Sequence, residues 1–283
     1  MFDDFLYCYD VFQKRGIEKP LLETLHLFDL FSKGLLSKMD LTFLERENID
    51  LLHISKKRKE GIPLEYIIGK AIFMGRTFFC SPNTLIPREW TKLLVEVAQD
   101  FIKKIQESKN DLTIIDIGTG CGNIAITLAL NTSKTNVIAS DVNPSSVKIA
   151  QKNINKFNLQ DRVSLFCGDL LSPLKDLKDK EKIDIVVCNP PYIPTSRLCK
   201  LSPEITNYEP IIGLNGGPFG IDFCRRLISD SFTVLKHKGI LVFEIGIGQK
   251  KWFARLLEKN VGYEDVRYFK DSEGIRVVSA VKR

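Results

Sequence analysis

The stretch Asp116-Ile-Gly-Thr-Gly-Cys-Gly-Asn123 decides the fold of this chain. It follows an apolar run, Leu112–Ile117, that predicts a β-strand, and it precedes residues that favour a helix. Glycines at such a turn let the backbone approach a ligand closely. A dinucleotide-binding fingerprint requires its third glycine three positions after the second, where this chain has Asn123. The stretch is therefore a GxGxG loop after a strand and not an NAD-binding fingerprint.

Strands and helices alternate after this loop. A helix is predicted at Ser145–Asn158, and four further strands are predicted at Asn136–Asp141, Val163–Cys167, Ile183–Asn189 and Gly239–Ile245. This alternation predicts an α/β fold with a mostly parallel, Rossmann-like sheet covered by helices on both faces. The final apolar runs, Tyr263–Tyr268 and Ile275–Val281, leave no room for a helix between them. They predict an antiparallel C-terminal hairpin at the sheet edge.

An acidic residue, Asp141, ends the second predicted strand of this sheet. It lies about 20 residues after the loop, the distance at which an acid can accept hydrogen bonds from both ribose hydroxyls of a nucleotide. The loop and Asp141 together favour a nucleoside-cofactor site, and the alternative is a structural glycine turn with a helix-capping Asp. The pairing resembles the S-adenosylmethionine site of class I methyltransferases.

The segment Asn189-Pro-Pro-Tyr192 follows the fourth strand directly, at the edge where open α/β sheets bind ligands. Its prolines remove two N–H donors, so the carbonyls of Asn189 and Pro190 can face a substrate. The Asn189 side chain adds an oxygen acceptor. Such acceptors suit a planar NH2 group, which they would align with a methyl donor while Tyr192 stacks against it. The alternative is an ordinary strand terminator. The motif resembles that of amino-methyltransferases acting on adenine, guanine or glutamine amides.

Further segments of the sequence indicate which amino-methyltransferases this chain resembles. Those that match are Gly61-Ile-Pro-Leu-Glu-Tyr-Ile-Ile-Gly69, Phe73, Leu85-Ile-Pro-Arg-Glu-Trp-Thr91, Leu214-Asn-Gly-Gly-Pro-Phe-Gly-Ile-Asp222, Phe243-Glu-Ile-Gly-Ile-Gly-Gln249, Lys270-Asp271 and Gly274-Ile-Arg276. They resemble the protein N5-glutamine methyltransferases, and most nearly the peptide chain release factor glutamine methyltransferases. That family methylates the glutamine of the Gly-Gly-Gln loop of release factors. The resemblance in motifs covers roughly residues 60–283. The part of the chain before them resembles the family only in its size and helical character.

The resemblance implies a class I methyltransferase fold and a set of site residues. Contacts with S-adenosylmethionine are expected from Gly118, Thr119, Gly120, Cys121, Gly122, Asp141, Leu170 and Asn189. The substrate glutamine is expected to lie against Asn189, Pro190, Pro191 and Tyr192. Of these, Asn189, Pro190 and Tyr192 are expected to be catalytic, and no metal is expected.

Two residues depart from the family pattern. Leu170 stands where the family often has an aromatic residue over the adenine, and Lys92 stands where a Glu usually follows Thr91. Lys92 thereby reverses a charge at the substrate-side entrance. Arg88 is expected to pair with an acid or with backbone near the cofactor, or to form a structural ion pair. Glu244, at the end of the fifth strand, is interpreted as a support for the following glycine turn and not as a catalytic base.

Three parts of the chain are predicted. Residues 1–70 form a small helical domain that docks the substrate, with one of its helices beginning at Asp40. Residues 71–85 form a β-hairpin linker, because the β-type runs Ile72–Met74 and Thr77–Cys80 flank Gly75-Arg76. Residues 86–283 form the S-adenosylmethionine-dependent domain. A glutamine alone offers too few atoms to distinguish one protein from others, so a wider docking surface is expected.

Charge argues for a protein partner. The 283 residues include 41 Lys and Arg against 35 Asp and Glu, a net charge of +6. Residues 1–75 carry 11 basic and 12 acidic side chains, and the remainder carries 30 and 23. A nucleic-acid methyltransferase needs a basic target-recognition surface, which the slightly acidic N-terminal part does not supply. The basic run Lys56–Lys59 is either a solvated helix face or an RNA-facing patch.

Composition excludes several other classes. No apolar run approaches the ~20 residues that span a bilayer. The acidic start Met1-Phe-Asp-Asp4 is unlike a signal peptide, and the seven cysteines include no CxxC pair. These features predict a cytoplasmic protein with reduced thiols and no zinc site. The default oligomeric state is a monomer.

The leading hypothesis is methylation of a release-factor glutamine. The nearest alternative is methylation of a glutamine in a large-subunit ribosomal protein, which uses the same chemistry. More distant alternatives are an adenine-N6 or guanine-N2 methyltransferase of nucleic acid, and a cofactor-binding module without catalysis.

Overall fold

The computed structural model describes residues 2–32, 50–172, 183–259 and 262–283. The described N-terminal part contains four helices, α1 (Phe2–Lys14), α2 (Pro20–Ser32), α3 (Leu51–Lys59) and α4 (Leu64–Ile68). Asp50 caps α3, because its side chain accepts a 2.9 Å hydrogen bond from the backbone N–H of His53. The helix predicted from Asp40 lies outside the described residues.

The N-terminal helices share a small apolar core of their own. Its buried members are Cys8, Val11, Phe12, Leu27, Ile54 and Leu64. The hairpin that follows consists of β1 (Lys70–Phe73) and β2 (Arg76–Phe79), joined by Met74 and Gly75. Both turn residues have positive φ, +47° and +72°, which is the type I′ geometry that suits the twist of a hairpin. The division of the chain at residues 70 and 85 stays a prediction.

A seven-stranded sheet forms the centre of the remaining chain. Its strands are β3 (Leu112–Ile117), β4 (Thr135–Asp141), β5 (Val163–Cys167), β6 (Ile183–Cys188), β7 (Leu235–Glu244), β8 (Tyr263–Lys270) and β9 (Ile275–Lys282). Their order is β5-β4-β3-β6-β7-β9-β8. The first five strands are parallel, and β9 pairs antiparallel with both β7 and β8. The predicted class of sheet and its terminal hairpin are confirmed.

Helices cover the sheet. They are α5 (Lys92–Gln106), α6 (Asn123–Asn131), α7 (Pro144–Lys156), α10 (Asp222–Val234) and α11 (Lys250–Lys259). Two short helices, α8 (Thr195–Leu198) and α9 (Pro203–Tyr208), lie in the connection between β6 and α10. Alternate residues of each central strand enter different cores. Ile114 and Ile185 belong to the core that contains α5 and α6, whereas Ile115 and Val186 belong to the core that contains α10 and α11. All six residues of β6 are buried, as expected of a parallel strand between two helical layers.

Strand β7 begins four residues before the predicted start at Gly239. Leu235 pairs with Ile183, and the register then shifts before Ile240 pairs with Ile185. Lys238 has a positive φ of +62°, so the backbone kinks within the strand. The polar residues Lys236, His237 and Lys238 interrupt the apolar pattern, so the first half of the strand could not be predicted from the sequence.

The strand order reverses between β3 and β6, since β3 leads outward to β4 and β6 leads outward to β7. The carboxyl ends of β3 and β6 therefore flank a crevice, the usual ligand position in open α/β sheets. Among the described residues, no helix is long and apolar enough to cross a membrane.

Candidate active site

The GxGxG loop lies at the carboxyl end of β3. Gly118, Gly120 and Gly122 all have positive φ, at +71°, +57° and +85°. A Cβ added to Gly118 or Gly120 would meet no atom within 4 Å, and both residues line a cavity of about 420 Å³. That volume lies in the range of small-molecule and cofactor sites. The two glycines thus leave open a cradle in which a ligand can contact the backbone.

Gly122 serves a different purpose. A Cβ there would lie 3.1 Å from Ile126 Cδ1 and 3.5 Å from Ala150 Cβ, so its absence lets α6 and α7 pack closely. The Cys121 side chain is buried in the core, and burial raises the pKa of its thiol to about 12. Neither residue lines the cavity. Of the predicted loop contacts, the structure brings Gly118, Thr119 and Gly120 to the cavity.

A fully buried carboxylate, Asp116, supports the loop from below. Its Oδ2 accepts hydrogen bonds from Thr119 Oγ1 at 2.6 Å and from the backbone N–H of Ala125 at 3.2 Å. Within the described part of the chain, its Oδ1 has no hydrogen-bond partner. Burial raises the pKa of Asp116 to about 7. Asp116 therefore ties the loop to the start of α6.

Asp141 stands at the end of β4, beside the loop. Its Oδ2 accepts a 2.9 Å hydrogen bond from the N–H of Gly120, and its Oδ1 accepts one of 2.9 Å from the N–H of Asn143. Burial raises the pKa of Asp141 despite these donors. Asp141 and Asn143 line the cavity. A carboxylate oxygen accepts more than one hydrogen bond, so both oxygens can also accept from ribose hydroxyls.

Leu170 covers another wall of the same cavity. It is buried and adopts a φ of +50°, and its carbonyl accepts a 3.5 Å hydrogen bond from Ser140 Oγ. Its neighbour Asp169 also lines the cavity and binds Arg226 of α10 at 2.5 Å. The predicted adenine-side residue is thus present on this wall and is aliphatic.

The Asn189-Pro-Pro-Tyr192 segment lies across the crevice from the loop. Asn189 and Pro191 line the cavity, whereas Pro190 is buried and Tyr192 lies outside the lining. The Tyr192 hydroxyl donates a 3.0 Å hydrogen bond to Glu244 Oε1. The structure therefore brings Asn189 and Pro191 to the cavity, and it places Tyr192 in the supporting layer.

The backbone of this segment is held by the loop of residues 214–222. A Cβ added to Gly216 would lie 2.7 Å from the Pro191 carbonyl oxygen, and one added to Gly220 would lie 2.3 Å from that of Tyr192. Contacts this close exclude side chains, which explains both glycines. Gln249 Nε2 donates to the Tyr192 carbonyl at 2.9 Å, and Gln249 Oε1 accepts from the N–H of Gly246 at 2.8 Å. Gln249 therefore joins the turn to the substrate segment.

Glu244 has a different role from the predicted one. The sequence predicts that Glu244 supports the glycine turn, but Gln249 does so. The fully buried Glu244 carboxylate instead accepts three hydrogen bonds from distant segments. Trp90 Nε1 and the Tyr192 hydroxyl donate to Oε1, at 2.9 and 3.0 Å, and Thr91 Oγ1 donates to Oε2 at 2.9 Å. Asn189 Nδ2 donates in turn to Thr91 Oγ1 at 3.2 Å. Burial raises the pKa of Glu244, although these donors oppose the shift.

Residues 83–91 form the third side of the cavity. Asn83, Leu85 and Pro87 are among the lining residues, and the Asn83 carbonyl accepts a 2.7 Å hydrogen bond from Ser146 Oγ of α7. Arg88 forms an ion pair with the buried Glu209. This contact fits both interpretations of Arg88, a pair beside the cofactor pocket and a structural ion pair. The sequence identifies this segment but not the contacts of Trp90 and Thr91 with Glu244. These residues lie more than 150 positions from Glu244, and no motif links them. The exposed Lys92 pairs with Glu89 at 2.7 Å.

Comparison with known proteins identifies the class of this fold. The family model of the Methyltransferase small domain matches residues 91–200. The crystal structure of a methyltransferase from Pyrococcus furiosus covers 80% of this chain and 98% of its own, with a TM-score of 0.52 at 20% identity. The hMettl16 catalytic domain, crystallised with a MAT2A 3′UTR hairpin, covers 84% and 94%, with a TM-score of 0.58 at 19% identity. The fold and the site define a class I methyltransferase.

Curated relatives place the chain more narrowly. The release factor glutamine methyltransferase of Bacillus cereus is 38% identical over 250 residues, 88% of this chain and 86% of the relative. That of Bacillus subtilis is 34% identical over 263 residues, 92% and 90%. The chain belongs to the release factor glutamine methyltransferase family.

Proposed function

We propose that this chain transfers a methyl group from S-adenosylmethionine to the side-chain amide nitrogen of the glutamine in the Gly-Gly-Gln motif of peptide chain release factors. One observation carries the proposal. A single cavity joins the open glycine cradle and Asp141 on one side to Asn189 on the other. Family membership supports the choice of a release-factor glutamine as the acceptor.

The residues on the cofactor side fit S-adenosylmethionine. The Gly118 and Gly120 cradle admits a close backbone contact, Asp141 offers acceptors for ribose hydroxyls, and Leu170 offers an apolar surface for a base. When bound, S-adenosylmethionine supplies an electrophilic methyl group and leaves as S-adenosylhomocysteine. The chain binds and orients the reactants at this site.

The substrate side fits a planar carboxamide. Asn189 and Pro191 line the cavity. The acceptors proposed for the two N–H hydrogens of the amide are the Asn189 side-chain oxygen and the Pro190 carbonyl. An amide nitrogen is a weak nucleophile because its lone pair is delocalised into the carbonyl. Holding both hydrogens on fixed acceptors restricts the nitrogen to an orientation that suits attack, which reduces the entropic part of the barrier. Transfer of the methyl group leaves a positively charged amide nitrogen that still carries both of its hydrogens and is strongly acidic. One of these protons leaves to water, so no residue is assigned as a base.

The direct test uses isotopically labelled S-adenosylmethionine and unmethylated release factor. We expect label in the release factor and none in added ribosomal RNA or DNA. Label in a large-subunit ribosomal protein with an unlabelled release factor would transfer the proposal to that substrate. Label in nucleic acid alone would refute amide methylation.

The helical part, residues 1–70, is proposed to dock the release factor. Arg58, whose side chain is 12% exposed, contacts Glu23 of α2 at 2.5 Å and Glu204 of α9 at 2.7 Å. Helix α9 leads directly to Pro210 and Ile212, which line the cavity. These contacts fix the helical part relative to the substrate side of the site. A release factor docked on the helices can therefore present its loop to the cavity.

Exposed apolar residues of the helical part allow a test. Leu22 and Leu52 are 59% and 54% exposed. We expect Leu22→Asp and Leu52→Asp to raise KM for the release factor while methylation of a short Gly-Gly-Gln peptide is unchanged. Leu130→Asp, at an exposed position on α6, is the matched control. Equal KM values for all three variants and the parent would contradict docking by this surface.

A further inference from the structure

The hydrogen bonds around Glu244 have a defined direction. The Trp90 indole N–H is only a donor, so Glu244 Oε1 must be the acceptor of their 2.9 Å bond. An ionised carboxylate accepts at both oxygens, so the Thr91 hydroxyl gives its one hydrogen to Oε2. The Thr91 oxygen is then left as an acceptor. Asn189 Nδ2, at 3.2 Å, supplies the donor that this oxygen can take.

This direction decides which end of the Asn189 amide faces the ligand. A half-turn of the amide exchanges its oxygen and its NH2 group with little change of shape, so hydrogen-bond partners alone select the orientation. With Nδ2 on Thr91, Oδ1 is the end left for the cavity that Asn189 lines. The opposite orientation would present two N–H donors where a substrate amide also presents donors.

We propose that Glu244 is a positioning residue that acts through the Thr91 hydroxyl to keep Asn189 Oδ1 turned toward the substrate amide. The proposal rests on the proposed amide methylation and adds the residues that set the polarity of the substrate side. Glu244 does not line the cavity, and the Thr91 side chain stands between it and Asn189. Its effect on the reaction is therefore indirect.

The variant Glu244→Gln reverses the polarity while preserving shape. Trp90 needs an acceptor, so it selects the oxygen of the new amide and leaves the new NH2 group facing Thr91. Thr91 then accepts, gives its own hydrogen to Asn189, and turns the Asn189 NH2 group into the cavity. We expect kcat to fall tenfold or more. The affinity for S-adenosylhomocysteine, measured by calorimetry, changes much less.

A second substitution provides a rescue that a merely structural role would not produce. Asn189→Asp in the parent places a carboxylate oxygen against the Thr91 oxygen, whose hydrogen is committed to Glu244, so kcat falls. In the Glu244→Gln background, Thr91 has a hydrogen to give, and the carboxylate still presents an acceptor to the cavity. We therefore expect the double variant to turn over faster than Glu244→Gln alone.

Three threonine substitutions isolate the hydroxyl from the size of the side chain. Thr91→Ser keeps the hydroxyl and should retain kcat within about threefold, whereas Thr91→Val has nearly the same shape and should lose tenfold or more. Thr127→Val is the matched control, because Thr127 is buried and its hydroxyl has no hydrogen-bond partner among the described residues. We expect the control to retain parental kcat and melting temperature.

Several results would overturn the proposal. These are parental kcat in Thr91→Val, equal loss in Thr91→Ser and Thr91→Val, or a double variant slower than Glu244→Gln. If the parent protein methylates no amide, the proposed function fails, and the positioning claim is then decided by NMR of the Asn189 side chain. We expect its NH2 hydrogens to be protected from exchange in the parent and exposed in Thr91→Val. Equal exchange in both would refute the claim.

Discussion

Two halves of the cavity each rest on one fully buried carboxylate, and the carboxylates are connected differently. Asp116 binds partners 3 and 9 residues away, at Thr119 and Ala125. Glu244 binds partners 52 to 154 residues away, at Tyr192, Thr91 and Trp90. The glycine loop of the cofactor half is thus held within one strand–loop–helix unit. The substrate half is completed only when residues 83–91, the Asn189-Pro-Pro-Tyr192 segment and β7 have come together.

This difference predicts which property a substitution in each half of the cavity will change. A change in the cofactor half should act locally, on cofactor affinity, because the contacts that hold its glycine loop lie within one short unit. A change in the substrate half should act mainly on turnover, because its contacts fix orientation. The predictions below test this separation.

The largest expected effect follows removal of the amide at the centre of the substrate half. Asn189→Ala removes the acceptor that holds the substrate N–H, and we expect kcat to fall by roughly 100-fold or more. The affinity for S-adenosylhomocysteine, measured by calorimetry, should change far less. Unchanged turnover would contradict the proposed grip. An equal loss of cofactor affinity would assign Asn189 to both halves.

A smaller effect is expected at the acid of the cofactor half. Asp141→Asn removes the charge and one strong acceptor from the ribose side, and hydrogen bonds to charged groups contribute about 1.5–3 kcal/mol. We expect the Kd for S-adenosylhomocysteine to rise by about one to two powers of ten, with kcat at saturating cofactor nearly retained. A fall in kcat without a change in Kd would break the separation of the two halves.

A matched pair of glycines tests the cradle. Gly120 and Gly75 both have positive φ, and a Cβ at either meets no atom within 4 Å, but only Gly120 lines the cavity. Alanine at either position should cost about 1–2 kcal/mol of stability through backbone strain. Only Gly120→Ala should also weaken cofactor binding, by about tenfold. Equal cofactor affinities in the two variants would mean that the loop does not contact the ligand.

The smallest expected effect is a change in how the free energy of unfolding depends on pH. Burial raises the pKa of Asp116 to about 7, so the folded protein holds a proton there that the unfolded chain releases near pH 4. Its contribution to stability is therefore full below pH 4, declines as pH rises to 7, and is constant above. One proton limits the slope to about 1.4 kcal/mol per pH unit. The stability of the parent minus that of Asp116→Asn, both measured by urea unfolding, should therefore fall as pH rises from 4 to 7. Parallel profiles would contradict the raised pKa.

The same contrast explains what could be predicted from the sequence. The GxGxG loop and Asp141 are separated by a fixed length of one βαβ unit, so their proximity follows from local pattern. Asn189 could be predicted to lie near the glycine loop because it ends a parallel strand, and the carboxyl ends of parallel strands meet at the same edge of the sheet. The contacts of Glu244 with Trp90 and Thr91 depend on how residues 83–91 pack against the end of β7. The periodicity of the sequence carries no information about that packing. For that reason the sequence predicts a role for Glu244 in the adjacent glycine turn, whereas the structure gives that role to Gln249.

The measurement that tests the central claim most directly is mass spectrometry of the Gly-Gly-Gln peptide from a release factor incubated with this protein and S-adenosylmethionine. We predict the mass increase of one methyl group on the glutamine side chain, and its loss when Asn189→Ala replaces the parent enzyme. An unmodified glutamine beside a methyl group on another residue or on nucleic acid would contradict the account.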